Sequence, residues 1–166
     1  MALIDALLPE FDREMGVTRK LLERVPDGQF AWRPHEKSMT LGRLAEHLAE
    51  LPMWLSMTLT TGGLEMTVGR PEGYRSPATR EAVLAMFDAN VKAARAQLTG
   101  KTDAELLAPW TLTQGGKEVF TMPKASVIRG FVLNHLIHHR GQLSVYLRMQ
   151  GAVLPSIYGP SGDEAM

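Results

Sequence analysis

Pro123-Lys124-Ala125-Ser126-Val127-Ile128-Arg129-Gly130-Phe131-Val132-Leu133-Asn134-His135-Leu136-Ile137-His138-His139-Arg140-Gly141-Gln142-Leu143-Ser144-Val145-Tyr146-Leu147-Arg148-Met149-Gln150 reads as one long helix. A proline suits a helix start, where its missing N–H costs nothing, and Gly151 closes the far end. Just upstream, Thr111-Leu112-Thr113 and Val119-Phe120-Thr121 flank Gln114-Gly115-Gly116-Lys117, the pattern of a small β-hairpin within residues 110–122. Two strands are not stable alone in water, so this hairpin must lean on helices.

Further upstream, three more helices are legible. Residues 2–25 carry Ile4, Leu7, Leu8, Phe11, Met15, Thr18, Leu21 and Leu22 at three-to-four spacing, and Pro26-Asp27-Gly28 stops the pattern. Residues 29–39 form a loop whose Trp32-Arg33-Pro34 favours an extended path. A second helix runs from about 40 to 61, capped by Ser38 or Thr40, with the stripe Leu41, Leu44, Leu48, Leu51 and Leu55. Pro52 predicts a kink or local break there, and Gly62-Gly63 an end; residues 64–74 read as loop. Ser76-Pro77 opens a third helix reaching Leu98, its inner face formed by Val83, Met86, Phe87, Asn90, Val91, Ala94 and Leu98. Gly100 closes it, residues 102–107 add a short helical turn, and the tail 152–166 is irregular. Four long amphipathic helices, a minor hairpin and no repeats predict a single all-α domain over residues 1–166, a four-helix bundle with the hairpin before its last long helix.

Composition narrows the chemistry. With 166 residues, 45% apolar and 22% charged, the chain can bury a core without staples. Lys plus Arg equal Asp plus Glu at 18 each, which argues against phosphate-driven nucleic-acid binding. No cysteine is present, so disulfides, thiolate metal sites and a cysteine nucleophile are excluded. Asp5, Glu10, Asp12 and Glu14 near the start do not fit a secretory signal, and no stretch approaches a membrane span. A cytoplasmic location is expected.

The chemistry sits in the histidines. His135 and His139 are four residues apart, which places both rings on one helix face, about 5–6 Å apart at Cβ, close enough to chelate one ion. His47 falls on the apolar stripe of its own helix, and two such faces meet in a bundle core. Burying three imidazoles without partners would be costly, whereas a divalent metal uses a lone pair on each. Three ligands leave coordination positions open, the pattern of a catalytic site. His138 competes with His139, but the offset of His139 from His135 is about 40° against about 60° for His138, which favours His139. His35 reads as a surface residue beside Pro34. Glu46 and Glu50 flank His47 and either support it or face solvent, as does His138 for its neighbours. Gln142 follows His139 by three residues and could hydrogen-bond toward the site, and Tyr158 either reaches the cavity from the tail or anchors a Tyr-Gly-Pro turn.

Three segments in order carry a resemblance: Thr40-Leu41-Gly42-Arg43-Leu44-Ala45-Glu46-His47-Leu48, then Asn134-His135 through His138-His139-Arg140-Gly141-Gln142-Leu143, then Pro155-Ser156-Ile157-Tyr158-Gly159-Pro160-Ser161-Gly162-Asp163-Glu164. In these the chain resembles the DinB/YfiT-like family of metalloenzymes, the DinB superfamily, over nearly its whole length. The resemblance implies a four-helix bundle, a three-histidine site at His47, His135 and His139, zinc or nickel as the ion, and a homodimer. Some relatives are thiol-dependent S-transferases and some are isomerases using such thiols. A transferase here would need an external low-molecular-weight thiol and a small-molecule electrophile, since the chain has no cysteine. A metal-dependent hydrolase, a metal that merely ties two helices together, and a non-catalytic metal sensor are the alternatives; no residue beyond the ligands is assigned a catalytic role.

Overall fold

Helix α1 (Leu3–Leu22) buries Leu7, Phe11, Met15, Leu21 and Leu22 on one face, as their spacing requires. This computed structural model describes every residue except 68, 70, 71 and 166. Helix α2 (Leu41–Thr60) starts at Thr40, whose hydroxyl accepts the Arg43 N–H at 3.1 Å, a cap worth about 1 kcal/mol. The preceding loop seals the same helix end: Leu41 N–H reaches the Trp32 carbonyl and Gly42 N–H the Phe30 carbonyl. A Cβ at Gly42 would lie 2.6 Å from the Phe30 ring, so the close approach demands glycine. Helix α2 passes through Pro52 without interruption, and the expected break is absent.

Helix α3 (Arg80–Leu98) begins later than Ser76-Pro77 suggested. Thr79 is the cap, accepting from Ala82 N–H, and the Asp27 carboxylate takes the Arg80 N–H, so two orphan donors of the first turn are met there. Helix α4 (Asp103–Leu107) is the expected short turn, closed by a Thr102–Glu105 capping box. Strands β2 (Pro109–Gln114) and β3 (Lys117–Pro123) pair antiparallel around Gly115 and Gly116, both at positive φ, which is the expected hairpin.

The hairpin has a third partner. Strand β1 (Gly63–Glu65) lies parallel to β2, Gly63 opposite Thr111, where a loop was expected. A Cβ on Gly63 would meet the Thr111 carbonyl at 2.5 Å, so the glycine that reads as a helix stop also permits strand pairing. Trp110, Leu112 and Val127 form a small second core under this sheet, and the Trp110 indole N–H bonds Thr61 Oγ1 at 3.1 Å.

The last helix departs from the expected regular α-helix. It comprises α5 (Lys124–Val127), a π-helical turn (Ile128–Asn134) and α6 (His135–Met149). Helix α3 packs on α2 and α1, and α6 likewise on both. The main core, including Phe11, Leu44, Leu48, Leu51, Phe87, Leu136 and Leu143, lies among these four helices. Full burial of each such side chain contributes about 1.5–3 kcal/mol relative to exposure. Among the described residues, no helix is long and apolar enough to cross a membrane.

Candidate metal centre

Helix α2 contributes His47, and α6 contributes His135 from its first position and His139 one turn later. Their rings converge. His47 Nε2 lies 3.2 Å from His135 Nε2, and His135 Nε2 lies 2.8 Å from His139 Nε2. One nitrogen from each falls within 4.8 Å of the others, so the group could hold a metal ion. His139 is buried, and the other two are half-buried.

The outward nitrogens determine what the inward ones can do. A neutral imidazole has one N–H and one lone pair. His139 Nδ1 is 2.7 Å from Gln142 Oε1 and donates to it. His135 Nε2 faces the other rings, which leaves Nδ1 to carry the proton of the neutral ring. His47 Nδ1 faces Glu50 Oε2 at 3.6 Å. With protons placed outward, three Nε2 lone pairs point at one another. Such an arrangement is mutually repulsive until a cation accepts all three, and it therefore fits a metal as its ligand set.

Protonation is disfavoured at the same place. Burial pushes the His139 pKa down to about 4, opposed by the Gln142 bond and reinforced by the neighbouring His47 and His135. Burial also lowers His135, with His47 adding to the effect. Both rings are thus kept in the neutral form that coordination needs.

Glu50 does more than face solvent. Arg43 Nη1 donates to its Oε2 at 3.1 Å and reaches Glu46 Oε2 at 3.5 Å. Glu46 is almost fully buried and accepts the Tyr74 hydroxyl at 2.8 Å. Arg43, Glu50, Met53, Trp54, Met66, Thr67 and Tyr74 line a cleft of about 520 Å³, so Glu50 connects this cleft to His47. The i,i+3 spacing of Arg43 and Glu46 was legible in sequence, whereas nothing local pointed to Tyr74.

His138 stands outside the trio; the Gln142 amide links it, with Nε2 at 3.1 Å from His138 Nε2. His35 is exposed. Tyr158 is placed against α1 and α6, donating to Glu14 Oε2 at 2.8 Å beneath the Arg140 guanidinium, which lies 4.9 Å from its ring centre. That position matches the anchored-turn reading of Tyr-Gly-Pro.

The sequence model of the DinB family matches residues 2–165. The chain belongs to the DinB family. It is 28% identical to the Bacillus subtilis (strain 168) protein YrdA, across 97% of this chain and 91% of that one. The fold is similar to a solved DinB-like protein from Bacillus cereus ATCC 10987, with TM-score 0.70 and 22% identity over 93% of this chain and 97% of that chain. A second solved DinB-like protein, YjoA from Bacillus subtilis, gives TM-score 0.71 and 19% identity over 92% and 97%. In this DinB chain, then, the three histidines meet inside a helical fold shared with other DinB-like proteins.

Proposed function

We propose that this DinB protein is a metal-dependent enzyme that binds one divalent ion, zinc or nickel, through His47, His135 and His139, and that it transfers a low-molecular-weight thiol to a small-molecule electrophile. The carrying observation is the convergence of three histidine ring nitrogens at one point, with Gln142 behind the His139 ring and Glu50 behind the His47 ring. The ion held there would supply Lewis acidity, lowering the pKa of a thiol or water taken as a further ligand. Glu50 and Gln142 orient the rings, and burial keeps them neutral. The cleft beside Glu50 offers an apolar wall of Met53, Trp54 and Met66 for the electrophile's body.

We read the ring of contacts among α1, α3, α2 and α6 as a four-helix bundle forming one domain, and the protein as a cytoplasmic homodimer. Met53, 42% exposed on α2, supplies apolar surface for self-association. Sedimentation at micromolar concentration should give twice the 18.3 kDa chain mass; the single-chain mass would reject the dimer.

The reaction is tested with cobalt as the loaded ion. Adding a low-molecular-weight thiol should produce a sulfur-to-metal charge-transfer band and metal-dependent conjugation to a simple electrophile, both abolished by His47→Ala. If several biological thiols give neither signal, the transferase reading fails and hydrolysis at the same site takes its place.

A further inference from the structure

We infer that His138, outside the trio, is a positioning residue: it holds the Gln142 amide in the one orientation that leaves the inner nitrogen of His139 open to a metal ion. This inference rests on the three-histidine metal reading. Gln142 stands three residues after His139 and four after His138, so on helix α6 its amide reaches both rings. Gln142 Oε1 lies 2.7 Å from His139 Nδ1, and Gln142 Nε2 lies 3.1 Å from His138 Nε2.

An amide has unlike ends, which gives this three-residue chain a direction. The oxygen only accepts and the NH2 group only donates, whereas a neutral imidazole nitrogen does either according to its tautomer. With Oε1 toward His139, Nδ1 must carry that ring's proton, and Nε2 keeps its lone pair, 2.8 Å from His135 Nε2. The NH2 group then needs an acceptor, and His138 Nε2 is that acceptor. Turning the amide over would satisfy the same three groups in reverse. His138 Nε2–H would donate to Oε1, the NH2 group would donate to His139 Nδ1, and the His139 proton would sit on Nε2, where a metal must bind. His139 is buried while Gln142 and His138 are exposed, so the outer end of the chain selects the direction of the buried end.

A cycle of substitutions tests this, because a carboxylate at position 142 has two accepting ends and no direction to select. His138→Ala should still carry its ion by elemental analysis but bind zinc about two- to tenfold more weakly, the worth of one ordinary hydrogen bond. In a Gln142→Glu background the same change should cost nothing. Competition with a chromophoric chelator measures all four proteins. An unaltered affinity in His138→Ala, or an equal loss in both backgrounds, overturns the inference.

A second measurement reads the direction itself. Ring ¹⁵N spectra of the zinc-loaded protein at mildly alkaline pH, with His138 assigned by its loss in His138→Ala, should show the His138 proton on Nδ1. In Gln142→Glu it should move to Nε2, since the ring then donates to a carboxylate. A His138 proton on Nε2 in the unaltered protein overturns the inference, and this result decides alone if a variant does not fold. Failure of the unaltered protein to hold zinc would instead refute the metal reading, and the same spectrum of the metal-free protein would then decide the direction of the chain.

Discussion

Two polar clusters lie side by side along α6, and they are built in opposite ways. Arg140, 1% exposed, is matched by complementary groups: the Glu14 carboxylate at 2.7 Å, the Glu14 carbonyl at 3.2 Å and Thr18 Oγ1 at 3.3 Å. Tyr158 donates to the same carboxylate from the tail. One residue earlier, His139 belongs to a cluster in which ring nitrogens face one another inside and Gln142 Oε1 takes the outward Nδ1 proton of His139. The first cluster has its charge balanced within the chain, by the Glu14 carboxylate, and ties α1, α6 and the tail together. The second could complete itself by holding a cation. Burial marks both as important, but only the balance of donors and acceptors separates a structural network from a ligand site.

Breaking the incomplete cluster should have the largest effect, and on binding instead of folding. His135→Ala or His139→Ala should cost more metal affinity than the about 10–100-fold that loss of an outer partner costs, with little change in the stability of the metal-free protein. Elemental analysis and urea unfolding of the same samples check both halves. His138→Ala should retain the ion, because its ring contacts Gln142 and not the trio's centre.

Breaking the complete cluster should do the reverse. Arg140→Leu leaves the Glu14 carboxylate buried without its partner and should destabilise the fold by about 3–5 kcal/mol, with or without metal. Urea unfolding with and without added zinc would show whether the loss is independent of the ion. Gln142→Leu should weaken metal binding by about 10–100-fold, since His139 loses the acceptor that fixes its tautomer. Competition with a chromophoric chelator gives the number.

The pH dependence should distinguish the clusters more gently. The His139 pKa is held down from 6.5 to about 4 in the folded protein, so between those values the unfolded chain binds the proton and the folded one does not. Its contribution to metal-free stability is therefore fully present above pH 6.5 and is lost as pH falls toward 4. Urea midpoints measured across that window should decline, and His139→Asn should flatten the slope. Tyr158→Phe, which removes one hydrogen bond to Glu14 and leaves the ion pair, should cost only about 1–2 kcal/mol.

Much of this contrast was legible in the sequence, and the missing parts share a cause. Leucine spacing located the four long helices, the paired glycines located the hairpin, and the four-residue offset of His135 and His139 brought their rings together. His47 followed from its place on an apolar stripe. Strand β1 escaped because its pairing with Thr111 spans the whole of α3, and a three-residue strand has no period to read. The π-turn escaped because a helix with one residue too many keeps its composition and changes only its hydrogen bonds. The partner of Tyr158 escaped because Glu14 lies near the opposite end of the chain.

The central claim is that the three lone pairs are a ligand set awaiting one cation. It is tested most directly by equilibrium dialysis of the metal-free protein against micromolar zinc near neutral pH, beside the His47→Ala/His135→Ala double variant. The account predicts one tightly held ion per chain in the unaltered protein and none in the variant. No retained ion in the unaltered protein, or the same ion count in both, would contradict it.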